Sequence, residues 1–385
     1  MDRISNLPST VIETILCLVA IQEAARTSIP SKEWRYHWIS IPKLVFNEGT
    51  FEVSTSDIDL SILEQTFDIQ SQRKGMTRRC KLFYAIYQVL LKHMGPIHEF
   101  SLKIRADKTC VEIDHIIFHL VRNNSVKKFS LDTHRDFKLP LSFLSLHHLT
   151  ELYLNMCTIV HQPPFTGFGS LTSLHMELIS ISEDTLLHLL SKSPLLKNVT
   201  LIDIEWMENI GISNSTITNF FELLPVVENL SIYPWTVTRF LRDGVPLKLP
   251  TALVRLKYLY VGHTCFNLKC RVALLALLMR SSPNLKKLKI QIDESSGPEP
   301  ETSSFTLRDF SEIWLEHLNE FEIIDVSNVK DELDFITLIL AKSPLLKKAN
   351  IFLWEDINKK DDLQISRILL ASPQASPMLG LIMAM

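Results

Sequence analysis

The nearest this chain comes to a metal-binding constellation is His263, Cys265 and Cys270, one imidazole and two thiols in a single short stretch. Zinc accepts such ligands, but a structural site draws four of them, usually as two spaced pairs, and no second CxxC or HxxxH pair accompanies these three. The six cysteines, Cys17, Cys80, Cys110, Cys157, Cys265 and Cys270, are scattered over the whole length. Most lie in apolar stretches, where a thiol acts as a small hydrophobe, and a reducing compartment suits them. The thiols therefore read as structural, and no metal is expected. Acyl-transfer chemistry fares no better, since serines, histidines and aspartates abound without a GxSxG elbow. A phosphate cradle needs closely spaced glycines. Only ten glycines are present, and neither GxGxxG nor GxxxxGK followed by Ser or Thr can be found. No catalytic residue and no cofactor emerge.

Charge narrows the partners. The formal net charge is -3 and the sequence pI about 6.5, so no whole-chain basic excess exists to draw in nucleic acid or an anionic membrane. Arg73, Lys74, Arg78, Arg79 and Lys81 form one local basic cluster; a nuclear-import or phosphate-binding patch is one reading, a solvated linker the simpler one. The first residues, Met1 to Leu18, mix Asp2, Arg3, Asn6 and Glu13 with apolar side chains, which is neither a signal peptide's order nor a spanning run. A cytoplasmic or nuclear location is expected. With 46% hydrophobic and 22% charged residues in 385, the chain can bury a sizeable core.

What positions the side chains is a repeat of the form LxxLxL. It reads Leu149/Leu152/Leu154, Leu171/Leu174/Met176, Leu196/Val199/Leu201, Val227/Leu230/Ile232, Leu256/Leu259/Val261, Leu285/Leu288/Ile290, Leu318/Phe321/Ile323 and Leu346/Ala349/Ile351. Two weaker copies precede these, Ile97/Phe100/Leu102 and Val126/Phe129/Leu131. The ten first positions are 22 to 33 residues apart, roughly the leucine-rich-repeat period. In LxL the two apolar residues share one face of a short strand while the residue between them points out. One copy cannot bury its apolar face alone, so neighbouring strands stack in parallel over a continuous core. Apolar runs at helical spacing, such as Leu186, Leu187, Leu189 and Leu190, supply the outer layer. Pro194, Pro283 and Pro344 each follow a Ser that ends such a helix, because the residue before proline is pushed out of the α region. The expected fold is α/β: an N-terminal three-helix segment followed by a solenoid with a curved parallel sheet and helices on its convex side. Ser295 to Ser304 (SSGPEPETSS) reads as an exposed loop between two repeats.

Residues that alternate with the buried ones face outward, and they are where a partner would touch. The alternation picks Tyr153, His175, Tyr233, Tyr260, Lys289, Glu322 and Phe352. Aromatic residues there serve as anchors for a partner or merely cover the pleated surface. Their mixed charge favours a protein no more than a small ligand.

Ahead of the repeat lie about 45 residues that read as short helices. Thr10 with Glu13 has capping-box spacing, and Ile12, Ile15, Leu16 and Val19 recur at helical intervals. Gln22 to Ser28 is a second helix, and Ser31 caps a third that carries Trp34 and Trp38. So small a unit buries too little to stand alone.

From Asp2 to Trp38 the sequence resembles the F-box of the plant F-box/leucine-rich-repeat/FBD proteins. Leu7-Pro8, Ile15-Leu16, Ala25, Thr27-Ser28, Ser31-Lys32, Trp34-Arg35 and Trp38 stand where that motif expects them. Lys81 to Ile104 resembles the family's helix leading into its first repeat, and the C-terminal third resembles its FBD region. Ala20, Pro30 and Glu33 depart from the usual proline, apolar and basic residues, and the tail LGLIMAM (Leu379 to Met385) is unlike the family's acidic, aromatic ending.

The resemblance implies a non-catalytic substrate-recognition subunit of an SCF-type ubiquitin ligase. It would hold a Skp-type adaptor, and through it cullin and RING subunits, while the repeats hold a protein substrate. Adaptor contact would fall to Leu7, Pro8, Ile12, Ile15, Leu16 and Trp34, of which Ile12, Leu16 and Trp34 read equally well as the small domain's own core. The implied division is an adaptor-binding F-box at 1–45, a linker and helix at 46–96, repeats at 97–280 and an FBD-like region continuing them at 281–385. The alternative is a repeat scaffold with a degenerate F-box and no ligase role.

Overall fold

Each repeat copy folds as a short strand whose two apolar residues turn inward, as the period of two demands. The computed structural model describes residues 7–19, 21–26, 34–50, 67–106, 110–160, 167–207, 216–238, 240, 245–266, 269–293, 310, 313–355, 357 and 359–384. These form two compact units, Met1–Ser193 with Trp206–Glu208, and Pro194–Glu205 with Asn209–Met385. The first carries strands β1 (Lys43–Asn47), β2 (Glu99–Lys103), β3 (Lys128–Lys138), β4 (Glu151–Ile159) and β5 (Ser173–Glu177). They pair in parallel, with Leu44, Phe100, Phe129, Leu152 and Leu174 in one lateral row. The second carries β6 (Asn198–Ile202), β7 (Asn229–Ile232), β8 (Tyr258–Thr264), β9 (Lys287–Ile292), β10 (Glu320–Val326), β11 (Lys348–Leu353) and β12 (Gly380–Ala384). Its parallel row runs Val199, Leu230, Leu259, Leu288, Phe321, Ala349, Leu381. Both units are thus α/β with parallel strands, the fold class that the repeat predicts.

Burial follows the pattern residue by residue. Leu230, Ile232, Leu259, Val261, Leu288 and Ile290 are all 0% exposed, each contributing roughly 1.5–3 kcal/mol of hydrophobic stabilisation. Parallel neighbours within a unit need a crossover, and helices such as Val111–Asn123, Lys269–Ser281 and Lys330–Lys342 provide it. The Ser-Pro punctuation has a second part beyond the proline. Ser193 and Ser282 are buried, and their hydroxyls donate to the carbonyls of Leu189 and Leu278, four residues back, at 2.9 and 2.7 Å. Those carbonyls belong to a last helical turn that would otherwise leave them unpaired.

Among the described residues the parallel rows also extend past the ten copies read from sequence. β1 belongs to a copy Ile41/Leu44/Phe46, each at most 1% exposed, so the ladder begins inside the expected F-box segment and β1 straddles the 45/46 division. At the other end the tail LGLIMAM supplies β12, the edge strand, with Leu381 and Met383 beside Ala349 and Ile351. The basic cluster is not in a linker either. It falls within helix Phe67–Lys92, where Arg78 and Lys81 are exposed; the side chains of Arg73 and Lys74 lie outside the described residues. The loop Ser295 to Ser304 is also outside them.

Strands also end in a recurrent way. Met156, Leu178, Asp203, His263 and Asp325 all have positive φ, between 47° and 64°, and each stands two residues after the last inward residue of its LxL. The ladder register shifts at Val261/Thr264 and at Ile323/Val326, so this position is a bulge that turns the strand. Asp tolerates the left-handed region better than most residues, which accounts for Asp203 and Asp325.

Candidate functional site

All seven outward residues named from the sequence, Tyr153, His175, Tyr233, Tyr260, Lys289, Glu322 and Phe352, are half-buried beside fully buried neighbours. The structure sorts them into separate groups. Tyr153 and His175 belong to the first unit, on facing positions of β4 and β5, with rings stacked 4.5 Å apart at 20°. His175 Nε2 lies 3.3 Å from Glu177 Oε2. Burial, then the nearby Glu177 and Asp132 carboxylates, push the Tyr153 phenol up.

In the second unit Tyr233 and Tyr260 join residues that periodicity does not single out. Tyr233 follows β7 directly, and the short helix Pro234–Thr238 turns Trp235 back against it, centroids 5.0 Å apart and edge to face. His263, left-handed at the β8 bulge, packs its ring against both, 4.4 Å from Tyr233 and 4.9 Å from Trp235. Tyr260 stands 6.4 Å from Tyr233. Arg271, on the helix after β8, lies 5.7 Å over the Trp235 ring and donates to the His263 carbonyl at 3.0 Å. Polar partners fix the rings: Tyr260 Oη donates to Gln291 Oε1 at 2.8 Å, Gln291 Nε2 to Asp325 at 3.1 Å, and His263 Nδ1 is 3.1 Å from Asp293. Burial, followed by the Tyr233 hydroxyl, drives the Tyr260 phenol far above its ordinary range.

Lys289 and Glu322 face each other on β9 and β10 with Nζ to Oε1 at 2.7 Å, and Lys289 lies 5.6 Å over Tyr260. Burial alone would raise the Glu322 carboxyl, but Lys289 and a hydrogen bond from Asn350 outweigh it, so the net shift is downward. Similar pairs recur two residues earlier in the repeat, at Lys43–Glu99 and Lys128–Glu151 in the first unit and at Lys287–Glu320 in the second, at 2.7 to 2.9 Å. Each rung bridges adjacent strands of the ladder. Phe352 sits apart from the aromatic group, beside Ala384 of β12.

The N-terminal residues divide as well. Helix α1 (Ser9–Leu16) starts with Pro8 at its cap and no side-chain capping bond, so Thr10 lies inside the helix and the expected capping box is absent. Glu13 instead accepts from Ser40 Oγ at 3.2 Å, tying α1 to the 3-10 helix Trp34–Ser40. The second helix, α2, runs Ile21–Arg26; Thr27 and Ser28, the end of the expected helix, lie outside the described residues. Ile12 and Leu16 are each 2% exposed and form this segment's own core, so they offer no surface to a partner. Pro8, Val11, Ile15, Leu18 and Val19 are exposed, and Leu7 is half-exposed. Trp34 begins the 3-10 helix; its side chain, like Ala20, Pro30 and Glu33, lies outside the described residues.

Trp235, His263, Arg271 and Gln291 were therefore missed as surface residues. Pro234 broke the strand pattern just before Trp235, and His263 was legible only as a ligand beside Cys265. Cys265 is buried, His263 is taken up by Asp293 and the rings, and among the described residues no group of three or more His, Cys, Asp or Glu could hold a metal. Chemically the cluster presents flat aromatic faces framed by fixed donors and acceptors, the composition of a binding hot spot. Among the described residues no helix is long and apolar enough to cross a membrane.

Comparison with known proteins agrees with the repeat and with the N-terminal motif. Residues 117–234 match the family described as "FBD-associated F-box protein At5g56370, LRR repeats". F-box/FBD/LRR-repeat protein At1g13570 of Arabidopsis thaliana is 30% identical over 424 aligned positions, spanning 98% of this chain and 97% of its own. F-box/FBD/LRR-repeat protein At1g51370 of the same plant is 30% identical over 203 positions, 52% of this chain and 40% of its own. Among solved structures, an internalin of Listeria monocytogenes aligns over 77% of this chain and 94% of its own, at 13% identity and a TM-score of 0.33. With the relative matched end to end, the chain belongs to the F-box/FBD/LRR-repeat proteins.

Proposed function

We propose that this chain is the substrate-recognition subunit of an SCF-type ubiquitin ligase, holding a Skp-type adaptor through its first helices and a protein substrate through the outward face of its repeats. The observation that carries the reading is the apolar surface of α1 and the turn after it. Val11 and Ile15, one helical turn apart, are 41% and 38% exposed, and Leu18 and Val19 are 82% and 45% exposed. Four aliphatic side chains left in water on one small segment are what a partner's groove would cover. The chain itself then performs no covalent step. Its contribution is proximity: a substrate lysine held near a ubiquitin thioester reacts at a raised effective concentration. The aromatic group around Tyr233 and Tyr260 supplies the anchor for the substrate.

Co-purification with a Skp-type adaptor tests it. Ile15→Glu with Leu18→Glu should abolish capture while leaving the thermal melt unchanged, because both residues are exposed. Capture of the double variant as efficiently as the parent would remove the assignment. These substitutions are sharper than deleting the segment, since a chain starting near Asn47 also loses β1.

A further inference from the structure

We propose that the strand-start edge of the second unit docks an extended acidic segment of a protein partner. The edge carries an open groove of about 560 Å3 lined by Glu228, Val254, Arg255, Lys257, Asn284, Lys286 and His317. Arg255, Lys257 and Lys286 give it three fixed positive charges against the single carboxylate of Glu228, in a chain whose net charge is -3. Glu228 is already engaged, its Oε2 2.6 Å from Lys257 Nζ, and Lys257 holds its carboxyl below the ordinary range. Arg255 and Lys286 are exposed, and among the described residues neither takes part in an ion pair.

The repeat arranges further lysines in line with the groove. Backbone hydrogen bonds of 2.8–2.9 Å run from Glu228 N to Lys197 O, Lys257 N to Glu228 O, Lys286 N to Lys257 O, Asn319 N to Lys286 O and Lys347 N to Asn319 O. Lys197, Lys257, Lys286 and Lys347 therefore occupy the same position of successive repeats, each immediately before its strand. At about 4.8 Å per ladder step the row spans roughly 24 Å, the length of about seven residues of extended chain. The rungs Lys287–Glu320 and Lys289–Glu322 further along β9 neutralise themselves, whereas this row carries four lysines and one glutamate. A linear run of carboxylates is the complement to such a row. The inference rests on reading the repeats as a protein receptor and names the chemistry of one part of its substrate.

The test uses the full chain and a fluorescein-labelled peptide of seven glutamates, followed by fluorescence polarisation. Binding is expected, with weakening as salt rises from roughly 50 to 200 mM and none for the matching glutamine peptide. Arg255→Glu with Lys286→Glu should weaken it by about tenfold or more, with the circular dichroism melt unchanged. Binding equal to that of the glutamine peptide, or undiminished in the double variant, overturns the proposal, as does tighter binding of a single-stranded oligonucleotide of similar length. Adaptor capture measured on the same preparations reads the ligase assignment separately. If the peptide fails to bind while the adaptor is held, the groove is wrong and that assignment stands.

Discussion

Tyr233 lies in the space that Gly262 leaves empty: a β-carbon built on Gly262 would come within 2.2 Å of Tyr233 Cε1. The two residues occupy equivalent places on adjacent strands, one step beyond the paired Ile232 and Val261. The glycine is needed here for room, since the ring folds across the neighbouring backbone to meet Trp235 and His263. Gly262→Ala is expected to displace the Tyr233 ring, open the edge-to-face contact with Trp235, and cost about 1–3 kcal/mol as overpacking does. Tryptophan fluorescence and a urea titration check both. An unshifted emission spectrum together with unchanged stability would show that the ring does not depend on this gap.

Inward and outward positions should separate folding from binding. Leu230→Ala or Leu259→Ala opens a cavity in a fully buried row and is expected to cost about 2–5 kcal/mol. Tyr233→Ala with Tyr260→Ala removes half-buried rings and the Tyr260 hydrogen bond to Gln291, and is expected to cost less than either leucine change while eliminating partner capture. Melting curves and capture of the same partner, measured on all three proteins, decide between them. If the tyrosine pair melts as low as the leucine variants, those rings are core and the binding face lies elsewhere.

How far the sequence could be read depended on period. Ten inward triplets were legible because LxxLxL recurs at intervals of 22 to 33 residues, the spacing of a repeat. Ile41/Leu44/Phe46 was hidden by its position, more than fifty residues before Ile97, with the long helix Phe67–Lys92 between. The last strand was hidden by composition, for Met378 and Met383 stand at two of the three leucine positions of the pattern, and it is recognised only through its pairing with β11. At the aromatic cluster the alternation found Tyr233 and Tyr260 but could not find Trp235 or Arg271, which reach it from a short helix and from the helix after β8. Periodicity reports which way a strand residue points; it carries no information about residues brought in from outside the strand. The same limit applies to the first helix, where helical spacing grouped Ile12, Ile15, Leu16 and Val19, while only packing separates the two that turn inward from the two left in water.

Glu322 should make a small part of the stability pH-dependent, with a defined sign. Its carboxyl is held below the ordinary value of 4.5 because Lys289 and Asn350 outweigh the effect of burial. A carboxyl lowered in the folded state favours folding fully above its unfolded value, and that contribution is lost as pH falls through the lowered folded value. Glu322→Gln is therefore expected to cost from a few tenths to about 1 kcal/mol at neutral pH, the range of a partly exposed ion pair. The difference should shrink towards zero as pH drops below the ordinary carboxylate range. Urea titrations of parent and variant at neutral pH and near pH 3 measure it. A gap between them that is equally wide at both values would mean that Glu322 acts through packing or neutral hydrogen bonding. The charge rung between β9 and β10 would then contribute nothing to stability.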